Sequence, residues 1–279
     1  RLELGDDAVD LVAFGIAQFL DGGAARVGDD VESPAAVPRG VFRDAVQNVA
    51  SRLEAQSDDD NDIAQDIKLF SCNCGRLVAL SSDLVFDPQK RTFPQDEFCE
   101  GFVNDKSIVG AWRKAELALF NASHYYTNWT ILRPCHVYGH NRLCGPSIPP
   151  FKTDADFRQL IADGANLNLP GGGHFLIQPI FIDDLARMIL SCPYSQESMG
   201  KAITCAGPDV VELAGYYKAI AAAMDSSVNI VETSIADQLA ATPAMAPYFC
   251  HRIYSRNAIK SANLPMPITS LGDGIAVSL

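Results

Sequence analysis

A few short, bare apolar runs separated by helix-periodic stretches constrain this chain more than any other feature. The runs are Leu77-Val78-Ala79-Leu80, Thr130-Ile131-Leu132 and Ile180-Phe181-Ile182, with Val9–Phe14 as an earlier one. Between them, Ser107–Ser123 carries Ala115, Leu117, Ala118 and Leu119 in a helical pattern, and Leu213–Met224 reads as another helix. Phe157, Leu160 and Ile161, closing on Gly164, fit a helix with a glycine stop. Asp183-Asp184 stands where it would cap a helix over Leu185–Cys192. Bare apolar strands alternating with helices are what a parallel sheet covered on both faces produces. The expected class is therefore α/β.

Residues 15–62 break this rhythm. Gly22-Gly23, Pro34, Pro38 and the run Asp58-Asp59-Asp60 mark an acidic insertion, with one amphipathic helix over 42–55 carried by Phe42, Ala45, Val46, Val49 and Leu53. Ile63–Phe70 reads as the close of a further helix. Of the formal charge of −12, most lies in residues 1–70, which hold 15 acidic against 6 basic side chains. An acidic protein has no general attraction for phosphate backbones, so nucleic acid is an unlikely partner. No apolar run reaches the roughly 18–20 residues that a membrane span needs. Most of the eight cysteines sit in or beside apolar runs, as small hydrophobes in a reducing compartment do. Cys72-Asn73-Cys74 has no second pair at zinc-site spacing, so no metal is expected.

The motifs follow one order: Leu80-Ser81-Ser82-Asp83-Leu84-Val85-Phe86, then Lys114-Ala115-Glu116, then Ile131-Leu132-Arg133-Pro134-Cys135-His136-Val137-Tyr138-Gly139. Gly171-Gly172-Gly173-His174-Phe175, Phe181-Ile182-Asp183-Asp184-Leu185-Ala186 and Leu264-Pro265-Met266-Pro267, before a helix-like Leu271–Val277, continue it. In this order the chain resembles the extended short-chain dehydrogenase/reductases, the NAD-dependent epimerase/dehydratases, over residues 9–14 and 63–275. Its spacing also resembles their chloroplast stem-loop-binding branch.

The resemblance implies a Rossmann-like doubly wound parallel sheet and a small C-terminal α/β substrate lobe. Residues 1–14 and 63–150 would form a partial dinucleotide-binding domain, 15–62 the insertion, and 151–279 the completion of the sheet and the substrate lobe. The first strands and the glycine loop, which offers helix N-terminal amides to a pyrophosphate, would precede Arg1. Either that segment or a protein partner is then expected to cover the open sheet edge at 9–14.

The resemblance also assigns chemistry. Hydride transfer at a carbinol needs a base for the hydroxyl proton, and this family uses a tyrosinate whose pKa a nearby lysine lowers. Lys114 matches that lysine and Ser82 the substrate-bonding hydroxyl, so these two are the catalytic candidates. The tyrosine position, four residues before Lys114, is Gly110. Tyr125, Tyr126 and Tyr138 are the nearby phenols that could substitute. Ser81, Ser82, Lys114, Arg133, Pro134 and His136 are expected at the NAD or NADP site, and His174, Phe175 and Arg252 in the substrate pocket, with His140 a further pocket histidine. Read without the family, Ser81-Ser82 would satisfy backbone groups at a strand end, Arg133 would pair locally, and Trp112 would partly fill the space a tyrosine would use.

Three functions remain open at this level. The chain is a catalytically silent relative acting as an accessory or assembly subunit; or an active NAD(P)-dependent oxidoreductase or epimerase on a sugar nucleotide; or an RNA-associated protein. Gly110 and the insertion favour the first.

Overall fold

A computed structural model of the chain describes residues 76–123, 128–140, 143 and 154–279. Its first strand, β1 (Leu77–Leu80), coincides with the first of these apolar runs and is buried along its whole length. Helix α1 (Ile108–Ala122) crosses over to β2 (Trp129–Pro134), which pairs with β1 in parallel, Leu77 facing Trp129 and Leu80 facing Leu132. Parallel pairing requires such a crossover, because a hairpin can only join antiparallel strands. Strand β2 exceeds the expected Thr130–Leu132 at both ends, since Trp129 pairs with Leu77 and Pro134 with Cys205 of a later strand, Lys201–Cys205. Proline is tolerated there because it closes the strand.

Alternation along β1 explains why both faces are covered. Leu77 and Ala79 join Ala115, Leu119 and Ala122 of α1 and Trp129 and Ile131 of β2 in one apolar cluster. Val78 and Leu80 point the other way, into the main core with Leu132, Ile203, Leu185, Ile189 and Tyr217. A period-2 strand between two helix layers has no polar face, which is why its sequence is a bare run.

The chain continues through β3 (Val137–Tyr138), α2 (Asp154–Ala162), β4 (Asn166–Pro170), β5 (Leu176–Ile177) and β6 (Ile180–Phe181). Helix α2 stops as expected: Gly164 has φ of +62°, its N–H reaches Ile161 O, and the Ala165 N–H reaches Leu160 O. Then follow α3 (Ile182–Ser191), β7 (Lys201–Cys205), β8 (Val211–Glu212), α4 (Leu213–Ala223), β9 (Asn229–Thr233), α5 (Ile235–Ala241), α6 (Asn257–Ser261) and α7 (Leu271–Ala276). Among the described residues the principal sheet runs β1-β2-β7, all parallel; β3–β6 and β4–β9 are parallel pairs, and β5–β8 is antiparallel. The architecture is α/β with a Rossmann-like parallel sheet.

Two expectations need correction. Ile182 is not strand but the first residue of α3, so the run Ile180–Ile182 splits at a strand-to-helix junction. Asp183 and Asp184 therefore lie within the first turn and do not cap it. Buried Asp184 instead accepts the Ile268 and Thr269 N–H groups at 3.2 and 2.9 Å, tying α3 to the segment before α7. Strands β4 and β9 were not visible as apolar runs, because polar asparagines alternate with buried leucines in β4 and β9 is only half-buried. The run at 9–14, the insertion 15–62 with its helix at 42–55, the stretch 63–70, Tyr125 and Tyr126 lie outside the described residues.

Candidate active site

The C-terminal end of β1 is where ligands bind in open parallel sheets, and Ser81 and Ser82 are located there. Ser81 is buried, and its N–H continues the ladder to Leu132 O at 2.8 Å. Its hydroxyl has no hydrogen-bond partner among the described residues. Ser82 is half-buried and caps a single 3-10 turn at Asp83–Val85: its Oγ accepts the Leu84 N–H at 3.2 Å and lies 3.4 Å from Asp83 Oδ1.

Helix α1 supplies the other half. Ser107 caps it by accepting the Gly110 N–H, and the Asp105 carboxylate holds Ser107 through its backbone N–H (2.9 Å) and hydroxyl. This turn lies tight against Gly110. A Cβ at position 110 would stand 2.2 Å from the Asp105 carbonyl oxygen and 2.8 Å from its carboxylate. No side chain fits there unless the capping turn moves. Lys114, one turn on, lies on the exposed face of α1. Trp112 is half-buried against Leu84, Val85 and Val109.

Arg133 is almost wholly buried and its partner Glu116 completely so. Nε and Nη2 of Arg133 donate to the two carboxylate oxygens at 2.8 and 2.9 Å, and Arg113 adds a third bond at 2.8 Å. The Arg133 guanidinium lies 5.1 Å from the ring centres of both Phe86 and Phe102. Bidentate, charge-assisted bonding of this kind holds α1 against β2. Pro134 closes β2, and buried His136 meets the Tyr216 ring edge-on at 4.8 Å.

The pocket candidates separate. His174 is exposed, with Nδ1 3.4 Å from Glu212 Oε1, and Phe175 stacks on Phe249 and meets His251 edge-on. Arg252 instead reaches Asp83, the neighbour of Ser82. It is buried, with Nη1 3.5 Å from Asp83 Oδ2, and the Tyr254 hydroxyl donates to that same oxygen at 2.6 Å. Arg91 completes this group, bonding the Tyr254 hydroxyl and donating to the Asp83 carbonyl at 3.0 Å. Burial and then the Asp83 charge hold the Tyr254 phenol well above its ordinary pKa. Burial, with Asp209 and Asp273, does the same for Tyr138, whose hydroxyl bonds Ser270 O at 3.1 Å. Neither phenol is poised to act as a base near neutral pH. Residue patterns did not reveal Arg91 or Tyr254, which reach Asp83 only through the fold. Asp83 and Glu116 stood inside the motifs, next to the residues that were singled out. Among the described residues no group of three or more His, Cys, Asp or Glu could hold a metal ion, and no helix is long and apolar enough to cross a membrane.

A parallel sheet whose neighbouring strands are joined by a crossover helix is Rossmann-like, the frame on which open α/β proteins bind ligands at strand ends. The model of the NAD dependent epimerase/dehydratase family matches residues 63–202, and the chain belongs to that family. Comparison by sequence with curated proteins returns no match. Solved structures share the fold at low identity. The epimerase Mth375 of Methanothermobacter thermautotrophicus superposes with a TM-score of 0.62 at 15% identity, covering 85% of this chain and 67% of that one. The UDP-N-acetylglucosamine 4-epimerase of Methanobrevibacter ruminantium, in complex with UDP-N-acetylmuramic acid, gives 0.62 at 15%, covering 84% and 71%. The UDP-glucuronic acid 4-epimerase of Bacillus cereus in complex with NAD gives 0.57 at 15%, covering 84% and 68%.

Proposed function

We propose that this protein keeps the family's nucleotide fold without its tyrosine-dependent chemistry and serves as an accessory or assembly subunit. One observation carries this reading: position 110 is a glycine whose missing side chain is replaced by the carbonyl of Asp105. A nicotinamide cofactor supplies hydride transfer when bound. Ser81, with its unbonded hydroxyl, and Lys114 and Ser82 are the residues that would hold its ribose and orient a substrate hydroxyl. The NAD complex of the B. cereus epimerase supports NAD as that cofactor. The proton of a substrate carbinol has no phenol at 110 to receive it, and Tyr138 and Tyr254 stay protonated. The companion of such a subunit would be a protein bound at the sheet edge expected at residues 9–14, or else a segment of the chain's own N-terminal region covers that edge.

The test is binding and turnover measured side by side. NAD(H) and NADP(H) are titrated calorimetrically, then UDP-glucose and UDP-N-acetylglucosamine are added while the nicotinamide band is followed. Dinucleotide binding without any absorbance change or epimerised product is expected. Turnover of either sugar nucleotide would overturn the proposal. It would instead establish a second reading, favoured by the retained Ser82 and Lys114, of an active epimerase or oxidoreductase using another proton acceptor. A role in RNA binding, as in the chloroplast branch, rests on motif spacing alone and is opposed by the charge of −12.

A further inference from the structure

We propose that His251 is a titratable rung beside β5: its neutral imidazole ties residues 251–252 to that strand, and its protonation releases the segment that precedes it. Strand β5 is paired on one side with β8, where the Leu213 N–H donates to Phe175 O at 2.9 Å. Backbone groups of successive residues in a strand face opposite sides, so the N–H and C=O of Leu176 point away from β8. There they meet residues 251–252. The Arg252 N–H donates to Leu176 O at 2.7 Å, and the Leu176 N–H donates to Nδ1 of His251 at 3.1 Å. An imidazole nitrogen thus occupies the place of the backbone carbonyl that would complete the pair.

A carbonyl keeps its acceptor at every pH, and an imidazole does not. Nδ1 accepts only while the ring is neutral; in the protonated ring both nitrogens are donors, so no ring rotation restores the bond. Histidine is the side chain whose charge ordinarily changes between pH 5 and 8. The rung is therefore present at the alkaline end of that range and lost as pH falls through it. His251 is exposed, so protons reach it without the fold opening. Phe93 and Phe175 hold the ring edge-on, their centres 5.9 and 6.5 Å away. The ionisable groups on the surrounding segments are engaged elsewhere: His174 with Glu212, Arg252 with Asp83, Arg91 with the Tyr254 hydroxyl, and Cys250 with Pro247 O. Beyond residue 252 the chain is held by bonds that do not titrate. The Tyr254 N–H donates to Gln178 Oε1 and the Gln95 N–H to Ile253 O, both at 2.8 Å. Release is thus confined to the stretch before His251, which holds the 3-10 turn Pro243–Tyr248 and Phe249, stacked on Phe175. This inference goes beyond the proposed function, because it requires neither a dinucleotide nor a partner.

The experiment is hydrogen–deuterium exchange of the full chain at single-residue resolution across pH 5 to 8, each rate divided by the intrinsic rate at that pH. Wild type, His251→Asn, His251→Phe and His174→Gln are compared. In wild type the Leu176 amide should lose about tenfold in protection between the alkaline and the acid end, the worth of one hydrogen bond. His251→Asn offers a carboxamide oxygen in the place of Nδ1 at every pH and should stay protected throughout. His251→Phe keeps the ring contacts without an acceptor and should be unprotected throughout. His174→Gln should keep the wild-type response, because His174 bonds Glu212 and not Leu176. A wild-type profile parallel to that of His251→Asn, a protected Leu176 amide in His251→Phe, or a response lost in His174→Gln would overturn the proposal. Neither dinucleotide nor sugar nucleotide enters this measurement, so the proposed function stands or falls on its own test.

Discussion

The 2.2 Å between the Asp105 carbonyl oxygen and the place of a Cβ at residue 110 sets two effects against each other. Alanine is the better helix former by about 1 kcal/mol, while overpacking against a fixed backbone costs about 1–3 kcal/mol. The clash is with a backbone carbonyl, held by the Ser107–Asp105 turn, so it should win. Gly110→Ala is expected to lower stability by about 1 kcal/mol in urea denaturation, the middle of the overpacking cost less the propensity gain. A neutral or stabilised variant would mean that the capping turn yields and that a larger side chain could be admitted. Arg133 and Glu116 lead to a second expectation at this scale. Both are buried, and removing one charge strands the other, so Glu116→Gln should cost about 3–5 kcal/mol. Glu116 was legible only as part of Lys114-Ala115-Glu116. Its role as the anchor of Arg133 depends on β2 lying against α1, which no local pattern states.

The loop between β1 and α1 works as an element in its own right. Gln95 is joined by backbone bonds to Ile253 and Ser255, and Glu97 Oε1 accepts the Thr204 N–H of β7 at 2.8 Å. Strand β7 is the outer member of the described sheet, so this carboxylate satisfies an edge amide that would otherwise be free to pair. Burial raises the Glu97 pKa above its ordinary 4.5, outweighing the hydrogen bonds from Thr204 that lower it. A carboxyl with a raised folded-state pKa contributes its full stability below the unfolded pKa and loses it as pH rises through the folded one. Relative to Glu97→Gln, which keeps the acceptor, wild type should therefore lose stability as pH rises from about 4.5, and urea midpoints of the two compared across that range test this. Parallel midpoints would show that Glu97 is not desolvated by the fold. For the helices, pattern and outcome agree where apolar periodicity and a cap coincide: Ser107 and Ser123 bracket α1 as read from the sequence. They part at α3, where the helix starts before the two aspartates and Asp184 is recruited by the backbone of residues 268–269.

Across the whole molecule, the buried thiols report how completely the sheet is enclosed. Cys135, Cys192 and Cys205 are buried with their pKa values driven up by desolvation, Cys192 to about 12, while Cys99 and Cys250 are half-buried. A thiol reagent at about pH 8, near the ordinary cysteine pKa, should label Cys99 and Cys250 first among the described cysteines. The other three should react only with unfolding, which peptide mapping by mass would resolve; early labelling of Cys205 would mean that β7 opens locally. The sequence by itself determined the class, the strand at Leu77–Leu80, the helix at 108–122 and the order of the family motifs. Each of these is a local matter of apolar period, capping or motif spacing. Only the tertiary structure decided that Gly110 is closed by a carbonyl, that Arg133 is bound to Glu116, and that Arg252 and Tyr254 meet Asp83 across most of the chain. Those contacts are set by how strands and helices pack, and packing brings together residues whose separation along the chain carries no signal.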